Sequence, residues 1–489
     1  MLQSPHNSNL NQEKKIKEVQ VVDALIDECI QLIKEGNIKA ARKAAEKTAK
    51  TYSHLKIRDN QKFKFLTELI ELTDLTISYN KKQSDKLYRG IIKKIDSCMH
   101  IMKKDKERSI PRDWRIMELF IGMLKSLYIL DKALEALKLI VEADPQNHDA
   151  LISKITVLSD LGRYKEAVEL CREKLKDFPE DEELLANLAV NLVGHAKTQP
   201  DDKAKSLMEE AQKYARMILE KNPKSCDAYY ALALSYAVLE KLEEALRISE
   251  TPLKQGLCGT HENLLLLHAN LLRDTGHYDE AIKAYNRLLE LNRRNAEAWE
   301  DFAQLWNYIG EYQKFLECVR TAYTLDRYDI SKIEWYSVAL RFNKRYQEAL
   351  NLINEGLRLY PDSYELWLEK AEIFLGAHEW EEAEKYFRKA MDMTPKSDID
   401  AWVSIWTGLA KIFYVHYKGR DREALELVDK ALKVKPNDFE ANYLKGVILR
   451  EFGRLGEAIK YFEKMYELTD DPRGKKLAKE EIEETRRRM

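Results

Sequence analysis

Glycine and proline are scarce in this chain, 17 and 11 among 489 residues. With few residues to interrupt them, apolar positions recur at helical spacing, and nearly the whole chain reads as α-helix. Cysteine is sparse and scattered: none of the six forms a Cys-x2-Cys pair. That usage suits a reducing compartment, with each cysteine serving as a small buried apolar residue. No run approaches the roughly twenty apolar residues of a membrane span, and the polar stretch Met1 to Lys15 has no apolar signal core. A soluble, cytoplasmic protein is expected. Phosphate-cradling glycine loops and a Gly-x-Ser-x-Gly turn are both missing. The ten histidines are dispersed, and Cys258-x2-His261 is half of a metal motif with no second pair. The acid pairs Glu243-Glu244 and Glu381-Glu382 fall where a helical surface faces solvent. No enzyme activity, metal or cofactor is expected.

What is present is a beat. Starting at Pro145, steps of thirty-four residues, with a few longer ones, reach Pro179, Pro223, Leu257, Arg293, Arg327, Pro361, Pro395, Pro436 and Asp470. Twelve residues before these points stand Ala133, Ala167, Ala211, Ala245, Ala281, Phe315, Ala349, Ala383, Ala424 and Ala458. A fixed period of this length signifies stacked helical units that bury their core between neighbours. Small residues in the first helix of each unit (Ala189, Ala233, Ala269, Ala303, Ala371, Gly446) allow close approach, and Leu185, Trp299 and Trp367 fill the space around them. Asp, Asn or Ser beside the proline can cap the next helix.

Within the beat, Gly162-Arg163-Tyr164-Lys165-Glu166-Ala167 recurs as Gly276-His277-Tyr278-Asp279-Glu280-Ala281 and as Gly453-Arg454-Leu455-Gly456-Glu457-Ala458. Trp299-x2-Phe302-Ala303-x2-Trp306 and Trp406-x2-Leu409-Ala410-x2-Phe413 supply the first half of the unit. The pattern resembles the tetratricopeptide repeat family over roughly Trp114 to Asp470. The resemblance implies an all-α, right-handed α-solenoid of antiparallel helix pairs, acting as a protein-interaction scaffold with a concave groove.

Four segments are expected. Residues 1–15 read as disordered, and residues 16–112 as a divergent helical region in which Gly36-x-Ile38-x2-Ala41 echoes the repeat turn. Residues 113–470 hold about ten repeats, and residues 471–489 a polar capping helix. Two insertions break the beat, of ten residues near 194–206 and of seven near 398–404, the latter taken to contain Trp402. Charge is uneven. Residues 1–112 carry 24 Lys and Arg against 15 Asp and Glu, whereas the whole chain has a net charge of −2. The basic helices offer Lys86, Arg89, Lys93, Lys94, Lys103 and Lys104 to phosphates, but without aromatic interleaving or a reading motif, so nucleic acid is the lesser alternative.

Two peptide sites of the resembled family can be tested on these residues. A two-carboxylate clamp needs lysine at the fifth position of a unit, and none of Glu118, Ile152, Ala186, Tyr230, Leu266, Glu300, Glu334, Leu368, Thr407 or Tyr443 is lysine. An asparagine ladder needs asparagine at the sixth position, where only Asn187 stands. The groove positions implied by the resemblance instead form a mixed polar stripe. From it Asn270, Arg273, Gln304, Asn307, Glu334 and Arg341 are expected to bind a partner segment, with Trp335 and Trp402 as aromatic anchors.

Overall fold

The computed structural model describes residues 5–55, 57, 60–82, 85–127, 129–469 and 472–489, and every regular element among them is helical. Helices α1 (Pro5–Lys34) and α2 (Ile38–Thr51) lead through a 3-10 turn, Ser53–Leu55, to α3 (Gln61–Lys82) and α4 (Asp85–Lys104). Thereafter the first (A) and second (B) helices of each unit alternate. The pairs are α5 (Trp114–Ser126) with α6 (Leu130–Ala143), α7 (His148–Asp160) with α8 (Tyr164–Lys174), and α9 (Glu182–Ala196) with α10 (Asp201–Lys221). Next come α11 (Cys226–Val238) with α12 (Leu242–Lys254), α13 (Glu262–Asp274) with α14 (Tyr278–Leu291), and α15 (Ala296–Ile309) with α16 (Tyr312–Leu325). Then follow α17 (Ile330–Phe342) with α18 (Tyr346–Leu359), α19 (Tyr364–Gly376) with α20 (Trp380–Met393), and α21 (Ile399–Val415) with α22 (Asp421–Val434). The last pair is α23 (Phe439–Glu451) with α24 (Leu455–Leu468), and α25 (Pro472–Arg487) packs on α24. The chain divides into two compact units, residues 1–294 and 295–489, each a helical solenoid.

The beat has a direct packing cause. The nine alanines at this phase of the B helices are at most 1% exposed, and Phe315 takes the same place fully buried. Each A helix packs on its own B helix, and several also pack on the next A helix, as α7 on α9 and α9 on α11 in the first unit and α17 on α19 and α19 on α21 in the second. Gly446 shows how tight this is, because a Cβ there would lie 2.5 Å from the Phe462 ring. The A helices start on side-chain caps: Asn147, Asp181, Asn295, Ser363, Asp398 and Asp438 each accept a hydrogen bond from the backbone N–H three residues on. The B helices start on a different device. Arg163, Arg345, Arg420 and Arg454 lock bidentately onto Glu166, Glu348, Glu423 and Glu457, three residues later.

In eight of the ten pairs the turn between A and B carries one left-handed residue, five before the alanine (or phenylalanine) of the B helix. Gly162, Gly276, Gly310, Gly419 and Gly453 adopt it at no steric cost, with φ between 69° and 85°. Glu240, Lys344 and His378 adopt it at φ 58° to 62°. Gly36, at φ 75°, makes the same turn five residues before the buried Ala41, so α1 and α2 are joined like a repeat.

Four sequence expectations are revised. Residues 5–15, expected to be disordered, form the start of α1. No glycine or further proline interrupts the chain from Pro5 to Glu35, and proline is well tolerated at a helix's first position. Residues 1–4 lie outside the described residues. The second insertion does not surround Trp402. It is absorbed mostly at the far end of α21, which has 17 residues where α17, α19 and α23 have 13. The first insertion lengthens α10 to 21 residues.

The fourth concerns cysteine. Cys226 and Cys258 form a disulfide that ties the start of α11 to the turn before α13, with Cα atoms 5.7 Å apart. Beside it, His261 Nδ1 accepts from the Leu264 N–H, so its Nε2 carries the proton toward Asp227, 2.9 Å away. Both halves of the Cys258-x2-His261 motif are thus occupied. The other four cysteines are buried, and burial pushes the thiols of Cys29, Cys171 and Cys318 up to about 12. Among the described residues no helix is long and apolar enough to cross a membrane, and no group of three or more His, Cys, Asp or Glu is placed to hold a metal.

Candidate functional site

The eight expected groove residues fall on four A helices. Asn270 and Arg273, on α13, belong to the first unit; Gln304, Asn307, Glu334, Trp335, Arg341 and Trp402 belong to the second. In the first unit the buried Tyr285 of α14 donates its hydroxyl proton to Asn270 Oδ1. Arg273 reaches the same hydroxyl at 3.5 Å through Nη1 and Asp274 at 2.8 Å through Nε. Both side chains are therefore engaged inside their own repeat.

In the second unit the A helices bring together a charged cluster only partly legible in the stripe. Arg341 does not stand open to a partner's carboxylate. Its Nε and Nη2 lie 3.1 and 3.0 Å from the two oxygens of Glu369 on α19, whose side chain is 4% exposed. Ser337 adds a hydrogen bond to Glu369 at 3.2 Å. Glu372, one turn further along α19, is 4.0 Å from Arg341 Nη1. Burial disfavours the Arg341 charge, but Glu369 and Glu372 outweigh it and hold the guanidinium protonated.

The remaining carboxylates are not fully compensated. Burial pushes Glu372 up to about 7 despite Arg341 and Lys411 nearby, and Glu440 and Glu369 add to the push. Glu334 on α17 is half-buried and has no hydrogen-bond or ion-pair partner among the described residues. Burial and the like charges of Glu369, Glu365 and Asp398 push its carboxyl up to about 7. On α15, Glu300 is also raised by burial, with Lys332 at 3.6 Å opposing. From α17 to the start of α23 this face presents Glu334, Glu365, Glu369, Glu372 and Glu440 against Arg341 and Lys411.

Gln304 and Asn307 are half-buried on α15. Trp335 sets its ring edge-on to Phe315, centroids 5.9 Å apart. Trp402 donates its indole N–H to the Pro395 carbonyl at 3.0 Å, as Trp367 does one repeat earlier to Pro361. It is therefore a repeat position that pins the turn to the A helix. Glu369 and Glu372 went unselected in the sequence reading; their signal was two glutamates three apart on an A helix, one replacing the asparagine of a ladder. The basic alternative is weakened by pairing, since Lys94 meets Glu68 and Glu71 at 3.1 and 2.5 Å and Lys103 meets Glu135 at 2.5 Å.

Tetratricopeptide repeat family models match residues 262–305, 337–398 and 417–472. These three stretches carry tetratricopeptide repeats. A TPR repeat-containing protein of Methanocaldococcus jannaschii is 26% identical over 237 residues, which is 46% of this chain and 39% of that protein. Tetratricopeptide repeat protein 7B of Mus musculus is 25% identical over 175 residues, 33% of this chain and 20% of that one. The matched stretches thus span about two-fifths or less of these curated relatives. The crystal structure of yeast Tom70 aligns over 96% of both chains at 16% identity, with a TM-score of 0.45. Tetratricopeptide repeats are generally protein-interaction scaffolds, and here the carboxylate cluster lies on A helices of the second unit.

Proposed function

We propose that this chain is a non-enzymatic scaffold whose second unit holds a partner protein's segment against the A-helix face through a lysine or arginine side chain. The observation that carries this is Glu334, a half-buried carboxylate with no ion-pair partner among the described residues, pushed up to about 7 by burial and by like charges. A carboxylate in that state gains most from an incoming cation, which would ionise it and form a charge-assisted bond. Glu372, 4.0 Å from Arg341 and also pushed up to about 7, offers a second carboxylate two helices along, and the half-buried Asn307 supplies a polar group for the segment's backbone. The inward pairing of Arg341 supports this polarity, since it removes the cation that an acidic segment would need.

Fluorescein-labelled peptides with two spaced lysines, and glutamate counterparts, test the reading by anisotropy near pH 7. The lysine peptides are expected to bind and to release a proton, read by titration calorimetry in buffers of different ionisation enthalpy. Glu334→Gln with Glu372→Gln should weaken them about tenfold, or 1.4 kcal/mol. Equal binding of both peptide classes, or no loss in the double variant, would overturn it.

A further inference from the structure

The geometry points to a second docking surface, on the edge of the first unit where α10 outruns its neighbours, for a protein segment that carries acidic side chains around an apolar anchor. Helices α8 and α12 begin three residues before their alanines, Ala167 and Ala245. Helix α10 begins at Asp201, ten residues before Ala211. The seven extra residues are two turns, about 10 Å at 1.5 Å per residue. They overhang the repeats on either side and leave a cleft on each flank.

The larger cleft, about 690 Å3, lies between α10, the end of α9 and the α11–α12 turn. Its apolar lining includes the buried Met208, Val238 and Leu239, the last 36% exposed. Tyr236 is held in place by Arg216, which donates to its hydroxyl at 2.7 Å. Lys197, Lys205 and Lys241 line the same cleft, with Asp201 and Glu209 as its carboxylates. The smaller cleft, about 430 Å3, is lined by Lys165, Lys203 and His195 with no carboxylate.

Five lysines therefore face two carboxylates in the lining of the two clefts, with Lys165 also 3.9 Å from Glu169. Lys197, Lys203 and Lys205 have no ion-pair partner among the described residues, whereas neighbouring Arg163 and Arg172 are paired with Glu166 and Glu210. That excess selects an anionic occupant. The apolar lining selects protein over nucleic acid, because a phosphodiester backbone would leave Tyr236, Val238 and Leu239 uncovered. None of these residues is among the A-helix positions of the proposed groove, so this surface is independent of it.

The probe is a fluorescein-labelled peptide with two central leucines flanked by glutamates. Its controls replace the glutamates by lysine or the leucines by serine, and an oligouridylate RNA of equal charge completes the set. Expected is binding of the glutamate–leucine peptide to the full chain, weakening as salt rises to physiological strength. Lys197→Glu with Lys203→Glu and Lys205→Glu should cut affinity at least about tenfold, and so should Leu239→Ser. Glu334→Gln should leave it unchanged, which separates this surface from the proposed groove. Unchanged affinity in a triple variant with wild-type circular dichroism, equal binding of the serine peptide, or tighter binding of the RNA would each overturn the proposal.

Discussion

Arg341 and Glu369 face each other across adjacent A helices, joined by two near-parallel N–H···O bonds of 3.1 and 3.0 Å. The Glu369 side chain is 4% exposed and that of Arg341 20%. The pair therefore belongs to the packing between α17 and α19 and leaves no arginine fork for a ligand. Removing one partner of a buried pair strands the other charge, at a cost of about 3–5 kcal/mol. Arg341→Ala should lower the denaturant midpoint markedly and raise amide exchange in α17 and α19. Arg345→Ala, which removes a solvent-exposed pair with Glu348, should move the midpoint little. Comparable midpoints for the two variants would show that Arg341 is not a packing residue.

The same cluster makes the second unit pH-dependent. Glu334 and Glu372 have folded-state values near 7, against an ordinary 4.5. Between those values the folded chain keeps protons that the unfolded chain has lost. Their contribution is thus fully present below the unfolded value and is lost as pH rises through 7. Urea unfolding should give the second unit greater stability near pH 5 than near pH 8. The Glu334→Gln/Glu372→Gln variant should flatten that slope, and a slope identical to wild type would place the titration elsewhere.

Three turns store a conformational cost. Glu240, Lys344 and His378 hold positive φ where other repeats use glycine. A left-handed L-residue costs about 1–2 kcal/mol, partly offset by the extra freedom that glycine gives the unfolded chain. Lys344→Gly and His378→Gly should each stabilise the protein by about 0.5–1 kcal/mol. A drop in stability would mean that the lysine or histidine side chain contributes more than its backbone costs.

Much of this fold was legible because the repeat is a local device. The buried alanines, the Asp, Asn and Ser caps and the glycine turns each lie within one beat, and phase alone locates them. Phase also marks residue 240, 344 or 378 as the left-handed position, though composition there says otherwise. What could not be read depends on which helices meet. Arg341 and Glu369 are 28 residues apart, and their pairing follows from α17 packing on α19. Trp402 was misplaced because the anchors Pro395 and Ala424 bound the insertion without locating it, and the extra residues chose the end of α21.

The disulfide can be counted. Cys226 and Cys258 are 32 residues apart, nearly one beat, which places them at the junction of successive A helices. A cross-link of that loop length contributes about 2–4 kcal/mol, on a chain-entropy account. In guanidinium without reductant four thiols should react with a thiol reagent, and six after reduction. Cys258→Ser should raise amide exchange around residues 226–261 and leave residues 439–468 unaffected. Six reactive thiols before reduction would return all the cysteines to the free state expected for a reducing compartment.

The end of the array gives the most direct test of one-dimensional stability. Helix α25 buries Ala478 and Thr485 completely and packs Leu477 and Ile482 beside Phe462 and Met465 of α24. Arg450, 8% exposed, pairs with Glu481 at 2.6 Å, and Arg488 reaches back to Glu451 at 2.8 Å. Deleting residues 472–489 would uncover the apolar side of α24 and leave Arg450 without Glu481. Exposing on the order of 200 Å2 of apolar surface costs about 5 kcal/mol at 25 cal/mol per Å2. In a solenoid each repeat mainly touches its neighbours, so the loss should stay local except at the end of α15, where Arg473 donates to the Tyr308 carbonyl at 3.3 Å. Amide exchange should rise strongly in α23 and α24, weakly in α21 and α22, and not at all between residues 148 and 260. Arg450→Met in the truncated chain should recover part of the loss by removing the stranded charge. A uniform rise across the whole chain would instead mean that the repeats unfold as one cooperative body.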